Sequence, residues 1–479
     1  MTRTSKLDLQ HLKPSRASDE PIYQQLYQSF REAIVTGKLR PGERVPSVRS
    51  LASELGLARG TIELAYQLLA GEGYFQSRGA AGTVVSPSLG RVKASGASLA
   101  AGCSPEPSSH RPAIHEVSKP FQLGLPALDA FPRTTWVRLA CRTLRALDVT
   151  AMNHPNAGGY EPLRRAIASY LGISRSINCS HEQVFITSGY RGGLELVSRT
   201  LLRHGDMGWH ENPGYLHARD LLQRMGMRLA PIPVDDEGMN VTVAQQGSAE
   251  ARFAVVTATH QFPTGVALSL PRRLELLEWA KRQRAWVIED DYDSEFRYRG
   301  RPLPALKSLD QNNRVLYCGT FSKVLFPGLR LGYVVVPEPL ISRFRDTAEN
   351  LPGPGSILPQ ATVAEFMERG HFARHLRKMR SLYSDRRSYL AEALKQRFDC
   401  LDIISEACGT HLLARLTDHR SDKAVASAAQ SCGLAVQALS DWCVGPDQPG
   451  GLLLGFTNIT GPDSANMLTQ QLWEATRNA

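Results

Sequence analysis

The sequence predicts an α/β protein that joins a small helical N-terminal domain to a large domain with a mostly parallel sheet. After a polar, flexible N-terminus at residues 1–19, residues 20–86 show three apolar stripes at helical spacing and then two short strand-like runs. Residues 87–120 are rich in Ser, Ala, Gly and Pro and lack periodicity. From residue 121 onward, strand-like runs alternate with helical stretches, which is typical of a parallel sheet covered on both faces.

The composition limits the classes of protein to which this chain can belong. At 479 residues and 42% hydrophobic content, it is long enough for roughly three domains with packed cores. It has no run of about 18 apolar residues and no apolar signal-peptide segment, so we expect a cytoplasmic protein without a membrane span. The 8 cysteines lack a CxxC pair, which indicates reduced thiols and predicts no metal site. A net charge of +10 favours an anionic partner.

The N-terminal segment has the order of elements of a winged helix-turn-helix. A first helix is predicted to begin after Pro21, and Ser47 is placed to cap a second helix that Gly56 ends. A third helix follows a three-residue turn and begins near Ala58. Residues 74–85 then read as a hairpin around a glycine-containing turn, and this hairpin would form the wing.

Motifs in this segment resemble the winged helix-turn-helix of GntR-type bacterial regulators, nearly without gaps. They are Pro46-Ser47-Val48-Arg49, Leu51-Ala52, Arg59-Gly60-Thr61 and Gly82-Thr83-Val84. The resemblance implies that double-stranded DNA is the partner and is contacted by Arg49, Arg59, Gly60, Thr61 and Arg78. Arginine supplies a planar fork for guanine edges or phosphates, and a glycine lets the helix approach the DNA backbone closely. A helical module that docks another protein is the alternative.

The segment at residues 87–120 is predicted to be a flexible linker. Its composition buries little apolar surface, so it would let the DNA-binding domain move relative to the rest of the chain. A linker of this length also permits domain swapping between protomers.

A lysine beside two hydroxyl groups marks the chemistry of the C-terminal body. Lys323 follows Thr320 and Ser322, and Arg330 comes seven residues later. A lysine can form a Schiff base with an aldehyde cofactor such as pyridoxal 5'-phosphate (PLP), and the hydroxyl and guanidinium groups can hold its phosphate. A surface turn with an ordinary solvated lysine is the alternative for this segment alone.

A second motif lies upstream, where an apolar strand-like run ends in carboxylates. Asp290 stands at this strand end, where open α/β sheets bind ligands, and it is suited to pair with a protonated pyridine nitrogen. Tyr292, two residues on, is placed to bond the phenolic oxygen of the ring. A solvated turn would explain the acids by themselves, but not the lysine block that follows.

Together these two blocks resemble fold-type I PLP-dependent aminotransferases, a likeness that extends over residues 121–479 with a smaller subdomain at about 355–479. Further marker segments follow in the family's order: Gly159-Tyr160-Glu161-Pro162, Ser188-Gly189-Tyr190, Glu211-Asn212-Pro213-Gly214-Tyr215 and His260-Gln261-Phe262-Pro263-Thr264-Gly265. The strand that ends at Ser188, Gly189 and Tyr190 leads into a helix start, whose free N–H groups suit a phosphate. The resemblance implies that Tyr215 stacks on the pyridine ring.

The combination of this body with a GntR-type domain resembles the MocR-type (GabR-like) regulators along nearly the whole chain. The resemblance implies a DNA-binding transcription regulator and a homodimer, since fold-type I sites are completed across subunits and paired DNA-binding domains recognise repeated half-sites. The small-molecule effector would be PLP itself, or an amine or amino acid that forms an adduct with PLP. Vitamin B6 or amino-compound metabolism would be the regulated process.

Three positions depart from the aminotransferase pattern. Where these enzymes usually carry an arginine that clamps the substrate carboxylate, this chain has Leu453. Phe262 replaces an asparagine, and Tyr190-Arg191-Gly192 replaces a small residue and glutamines. Arg191 would serve as an alternative anion contact or, as the other possibility, pair with a surface acid. Loss of the clamp favours PLP as its own signal, with an unusual amine effector as the rival. An active aminotransferase with an attached DNA-binding module is the alternative, since Lys323 and Asp290 suffice for Schiff-base chemistry and slow proton transfer.

Overall fold

The computed structural model contains two units, which its internal contacts separate into residues 1–111 and 112–479. It describes residues 14–15, 20–79, 82–87, 118–149, 153, 156–298, 303–404, 408–445 and 450–477. The predicted flexible N-terminus and linker lie almost entirely outside the described residues. The bounds predicted for the four segments of the chain therefore stay predictions.

The N-terminal unit contains three helices and a two-stranded hairpin, in the predicted order. They are α1 (Ile22–Val35), α2 (Val48–Leu55), α3 (Arg59–Gly71), β1 (Phe75–Ser77) and β2 (Thr83–Val85). The side chain of Ser47 caps α2 by accepting a hydrogen bond from the backbone N–H of Ser50 at 3.1 Å, as predicted. Gly56 ends α2 in the left-handed conformation, with φ of 64°.

Three aromatic rings form the centre of this unit. Phe30 of α1, Tyr66 of α3 and Phe75 of β1 contact one another edge to face, with ring centroids 5.1 to 5.5 Å apart. The hydroxyl of Tyr66 donates a hydrogen bond to the carbonyl of Pro46 at 2.9 Å. The hairpin and the helices thus share one core, which fixes the wing against the helix-turn-helix.

The large sheet of the second unit has eight strands in the order β3-β10-β9-β8-β7-β4-β5-β6. The strands are β3 (Val184–Thr187), β4 (Met207–Asn212), β5 (Arg228–Asp235), β6 (Gly238–Met239), β7 (Phe253–Val256), β8 (Trp286–Asp291), β9 (Val315–Thr320) and β10 (Gly332–Val335). Strands β5, β4, β7, β8 and β9 pair in parallel, whereas β10 and β6 pair antiparallel to their neighbours. The prediction of a mostly parallel sheet is confirmed.

Helices cover both faces of this sheet. They are α4 (Arg133–Ala146), α5 (Glu161–Arg175), α6 (Gly189–Leu201), α7 (Leu216–Arg224), α8 (Val241–Gly247), α9 (Leu270–Gln283), α10 (Ile341–Glu349) and α11 (Ile357–Glu368). Side chains of successive strand residues alternate between the faces: Ile288 packs with α6, α7 and α10, and Val287 packs with α8 and α9. Burial on both faces explains why β7 and the first halves of β8 and β9 carry consecutive apolar residues.

A second sheet of four antiparallel strands follows, in the order β11-β12-β14-β13. Its strands and helices are β11 (Leu401–Ile404), β12 (His411–Leu416), β13 (Gln437–Ala438), β14 (Gly451–Gly455), α12 (His371–Arg397), α13 (Asp422–Ser431) and α14 (Pro462–Thr476). Among the described residues, no helix combines the length and the apolar character that crossing a bilayer would need.

Candidate cofactor site

A cavity of about 320 Å³ opens at the carboxyl ends of five strands of the large sheet. Turns and strand ends after β3, β4, β7, β8 and β9 reach it, as expected for ligand sites of open α/β sheets. All ten residues predicted to bind the cofactor line this one cavity: Ser188, Gly189, Tyr190, Tyr215, Asp290, Tyr292, Thr320, Ser322, Lys323 and Arg330. The structure thus brings the predicted set together, while the role of each residue stays a prediction.

Lys323 lies in the turn that follows β9. Its Nζ donates a hydrogen bond to the carbonyl of Gly124 at 2.8 Å. Burial lowers the pKa of the Lys323 amine, and the carboxylates of Asp293 and Asp290 partly oppose this effect. A lowered pKa increases the fraction of neutral amine, which is the form that attacks an aldehyde.

Asp290 reaches the cavity because side chains of a strand alternate between its faces. Its neighbours on β8, Glu289 and Asp291, bond to other groups: Glu289 accepts from the backbone of Leu306, and Asp291 pairs with Arg175. Burial raises the pKa of Asp290 well above its usual range, while the hydroxyl of Tyr190 favours the charged form. Since no lysine or arginine in the described parts of the chain lies within ion-pair distance of it, this buried carboxyl group fits a cationic pyridine nitrogen.

Tyr292 is held by a polar contact that the sequence did not predict. Its hydroxyl lies 2.9 Å from Nδ1 of His260, and the same nitrogen lies 2.9 Å from Oδ1 of Asp293. Burial, followed by the charge of Asp293, raises the pKa of Tyr292 well above 10, so the phenol stays protonated. It therefore offers a hydroxyl group to the phenolic oxygen of a pyridine ring.

The part of the cavity lined by the start of α6 and the turn after β9 is suited to a phosphate. Helix α6 begins at Gly189, and its first backbone N–H groups lie beside Ser188. The hydroxyl of Thr320 accepts a hydrogen bond from the backbone of Ser322 at 3.1 Å, which tightens the turn. Arg330 is exposed, with φ of 52°, and completes the group of phosphate-binding candidates.

Further lining residues were not predicted. They are Leu123, Gly124, His217, Pro327, Thr410, His411, Gln437 and Trp442. His217 follows the predicted Tyr215 by two residues, which is a local signal that was available. Gln437 and Trp442 belong to the smaller sheet and the turn after it, more than 100 residues from the lysine, so no local pattern pointed to them. Leu453 does not line the cavity but lies fully buried beneath this part of its wall.

The residues predicted to contact DNA lie on the N-terminal unit. Arg49 lies in the first turn of α2 and Arg59 begins α3, and both are exposed. Gly60 is exposed, and a Cβ atom added there would meet nothing within 4 Å. Arg78 is exposed beside the hairpin, whereas Thr61 is half-buried. These positions agree with a recognition helix and a wing, and the DNA contacts themselves stay predictions.

Comparison with known proteins places both parts of the chain. Residues 129–444 match the model for aminotransferase class I and II, and residues 22–85 match that for bacterial regulatory proteins of the gntR family. The kynurenine aminotransferase of Pyrococcus horikoshii, solved in complex with PMP, superposes with a TM-score of 0.68 at 27% identity, over 75% of this chain and 90% of that one. The α-aminoadipate aminotransferase LysN of Thermus thermophilus gives a TM-score of 0.68 at 25% identity, over 75% and 92%.

Relatives that are named as regulators match nearly the whole chain, and two of them illustrate this. The probable rhizopine catabolism regulatory protein MocR of Rhizobium meliloti is 36% identical over 93% of this chain and 92% of its own length. The pyridoxine biosynthesis transcriptional regulator PdxR of Corynebacterium glutamicum is 32% identical over 93% of each chain. A GntR-type DNA-binding domain followed by a fold-type I aminotransferase-like body defines a class of transcription regulators. This chain belongs to that class, the MocR-type subfamily of GntR regulators.

Proposed function

We propose that this regulator binds PLP at Lys323 and that the bound cofactor, alone or with an amine effector, changes how the protein binds operator DNA. The observation that carries the proposal is that one cavity brings together the half-buried Lys323, the buried Asp290 and a helix N-terminus. When bound, PLP supplies an aldehyde that reacts with primary amines and a phosphate that suits the N-terminus of α6.

The residues present fit that cofactor at both of its ends. Asp290 is a buried carboxyl group whose charged form is costly without a cation, and a protonated ring nitrogen would provide one. Ser188, Thr320 and Ser322 offer hydroxyl groups, and Arg330 offers a guanidinium, to a dianionic phosphate. Tyr215 and Tyr292 would orient the ring between these ends.

The DNA-binding domain of this class binds DNA, and we assign the contacts here to Arg49, Arg59, Gly60, Thr61 and Arg78. We propose a homodimer whose two DNA-binding domains recognise repeated half-sites. The linker is long enough for the two protomers to exchange these domains. An effector shifts the equilibrium between two arrangements of the DNA-binding domains only if it binds one arrangement more tightly than the other.

Catalytic turnover is the second candidate, supported by the lowered pKa of Lys323 in a cavity of aminotransferase type. Leu453 opposes it, since a leucine replaces the arginine that would hold a substrate carboxylate. The two candidates differ in a measurable way: turnover consumes an amino acid and an oxo acid continuously, whereas a sensor needs only an equilibrium between states.

The test is a DNA-binding titration at fixed salt with promoter DNA upstream of the protein's own coding sequence. The full-length protein is compared without PLP, with PLP, and with PLP plus candidate amines. We expect PLP, or PLP with an amine, to change the affinity or the footprint. If neither does so although PLP binds, the sensor proposal is wrong and the assay for turnover decides the second candidate.

A further inference from the structure

One wall of the cavity is built by the smaller sheet, and the register of its strands determines which side chains that wall presents. Leu413 of β12 lies directly opposite Leu453 of β14, which lies directly opposite Gln437 of β13. Residues that are directly opposite in antiparallel strands place their side chains on the same face of the sheet. Since Gln437 lines the cavity, this row of three belongs to the face that turns toward it.

The two leucines of this row are buried away from solvent. Leu413 and Leu453 are 4% and 0% exposed and form one cluster with Leu439. Leu123 and Trp442, which both line the cavity, pack against that cluster. A carboxylate placed against this wall would lose its water without gaining a cation, which is unfavourable.

The cations that line the cavity, Arg191, Lys323 and Arg330, all follow strands of the large sheet, and none of them belongs to the smaller sheet that builds this wall. The two histidines nearest the wall do not replace a cation. Burial, and then the charge of Arg191, lowers the pKa of His217, and burial lowers the pKa of His411 to about 4. Both imidazoles are therefore neutral at neutral pH.

The wall instead presents neutral hydrogen-bonding groups. The carboxamide of Gln437, which provides one acceptor and two donor hydrogens, has no hydrogen-bond partner among the described residues. The indole Nε1 of Trp442 also lacks an acceptor within the described chain, but it is buried and is not exposed to the cavity. The Trp442 ring lies edge to face with Phe262, with centroids 4.7 Å apart, so a flat apolar surface adjoins these polar atoms.

We propose that the effector is a primary amine without a carboxylate next to its amino group, and that the carboxamide of Gln437 binds a neutral oxygen atom at its other end. Amino alcohols and amino polyols have this chemistry. The inference rests on the proposed function, because the amino group is the part directed at the cofactor bound at Lys323. Gln437 then selects the effector by direct contact, and Leu453 does so by leaving the wall without a cation.

The experiment compares pairs of molecules that differ only in whether a carboxylate or a hydroxymethyl group lies next to the amino-bearing carbon. PLP-loaded full-length protein is titrated with L-serine against 2-aminopropane-1,3-diol, and with L-alanine against 2-aminopropan-1-ol, while the absorbance band of the bound cofactor and the affinity for promoter DNA are recorded. We expect each amino alcohol to act at a concentration about 10-fold or more below that of its amino acid. Equal or stronger binding of the amino acids would overturn the proposal.

Two substitutions test the residues assigned to the wall. Gln437→Leu should raise the amino alcohol concentration needed for half of the effect by about 10-fold. Gln437→Asn, which keeps the amide, should raise that concentration by a smaller factor. Leu453→Arg should move the preference toward the amino acids, with Leu453→Met as the volume-matched control. If the arginine variant fails to fold, Gln437→Leu still decides, since unchanged amino alcohol binding would contradict the assignment.

The outcomes also separate this proposal from the one on which it rests. If no cofactor band forms on the wild-type protein, both proposals are wrong. If PLP binds and changes DNA affinity but neither amino alcohols nor amino acids shift the band, the PLP-sensor function stands and the amine-effector proposal is wrong.

Discussion

The imidazole of His260 and the carboxylate of Asp293 form a buried pair directly behind Tyr292, with Nδ1 2.9 Å from Oδ1. Burial by itself lowers the pKa of His260, but the charge of Asp293 outweighs it and raises the pKa well above 6.5. His260 is therefore charged at neutral pH. Because the same Nδ1 lies 2.9 Å from the hydroxyl of Tyr292, the pair fixes the position of the phenol that faces the cavity.

This pair predicts a pH dependence of stability. A histidine whose pKa is raised in the folded state contributes stability that is complete below about pH 6.5, its value when unfolded, and that is lost as pH rises through the folded pKa. The loss amounts to at most roughly 1.4 kcal/mol for each pH unit above 6.5. Thermal unfolding from pH 6 to 9 should show this slope in the wild type and lack it in His260→Asn.

His375→Asn is the matched control for that measurement. His375 is also buried, but burial lowers its pKa, so it is neutral in the folded state and gives no loss of stability as pH rises; once the unfolded histidine is also neutral, about one pH unit above 6.5, it contributes no slope. An identical slope in wild type and His260→Asn would contradict the charged pair.

Lys323→Ala should abolish the visible absorbance band of protein-bound PLP, because no other lysine lines the cavity within the described chain. Lys323→Arg should do the same, since a guanidinium keeps the charge but does not form a Schiff base at neutral pH. Lys378→Ala, at an exposed lysine of α12, should keep the band. A band that survives in the Lys323 variants would refute the assignment.

Arg59→Ala should weaken binding to the operator by about 1–3 kcal/mol and relax base preference if the guanidinium reads a base edge. Arg49→Ala should weaken binding to all sequences and reduce the slope of log affinity against log salt by about 1 if it contacts a phosphate. Arg203→Ala, at an exposed arginine of the other unit, is the control. Unchanged affinity of both test variants would contradict the assigned DNA-binding surface.

The ion pair of Arg175 and Asp291 should be a strong determinant of the stability of the second unit. Nη2 and Oδ2 lie 2.6 Å apart, with side chains 2% and 3% exposed, and the hydroxyl of Tyr317 donates to the same oxygen at 2.6 Å. Asp291→Ala leaves a buried guanidinium without its carboxylate, which costs about 3–5 kcal/mol. Urea unfolding followed by intrinsic fluorescence measures the loss.

The double variant Arg175→Met, Asp291→Leu should recover much of that loss, because it removes both charges from the interior. Glu161→Ala breaks the exposed pair with Arg165 and should change stability little, since solvent screens that pair. A loss in Asp291→Ala no larger than that in Glu161→Ala would show that the buried pair is not needed.

Local patterns in the sequence are enough to predict the order of the elements and the motifs. Helical spacing and a cap at Ser47 predict the helix-turn-helix, since both depend on neighbours in the chain. The strand end at Asp290 and the turn at Lys323 could be expected to meet, because the carboxyl ends of parallel strands gather at one edge of a sheet. That edge is where the ten predicted site residues now lie.

Long-range packing selects the partner of each acid at the end of β8 and in the turn that follows it. Strand alternation places Asp290 on the opposite face of the sheet from Glu289 and Asp291, but it does not determine which of the two faces turns toward the cavity. Asp291 takes Arg175 and Asp293 takes His260, both far away in the chain. The wall with Gln437 and Trp442 likewise comes from a sheet whose approach to the lysine depends on long-range packing. Local patterns carry no information about such contacts, because the free energy that selects them is gained only when distant segments bury one another.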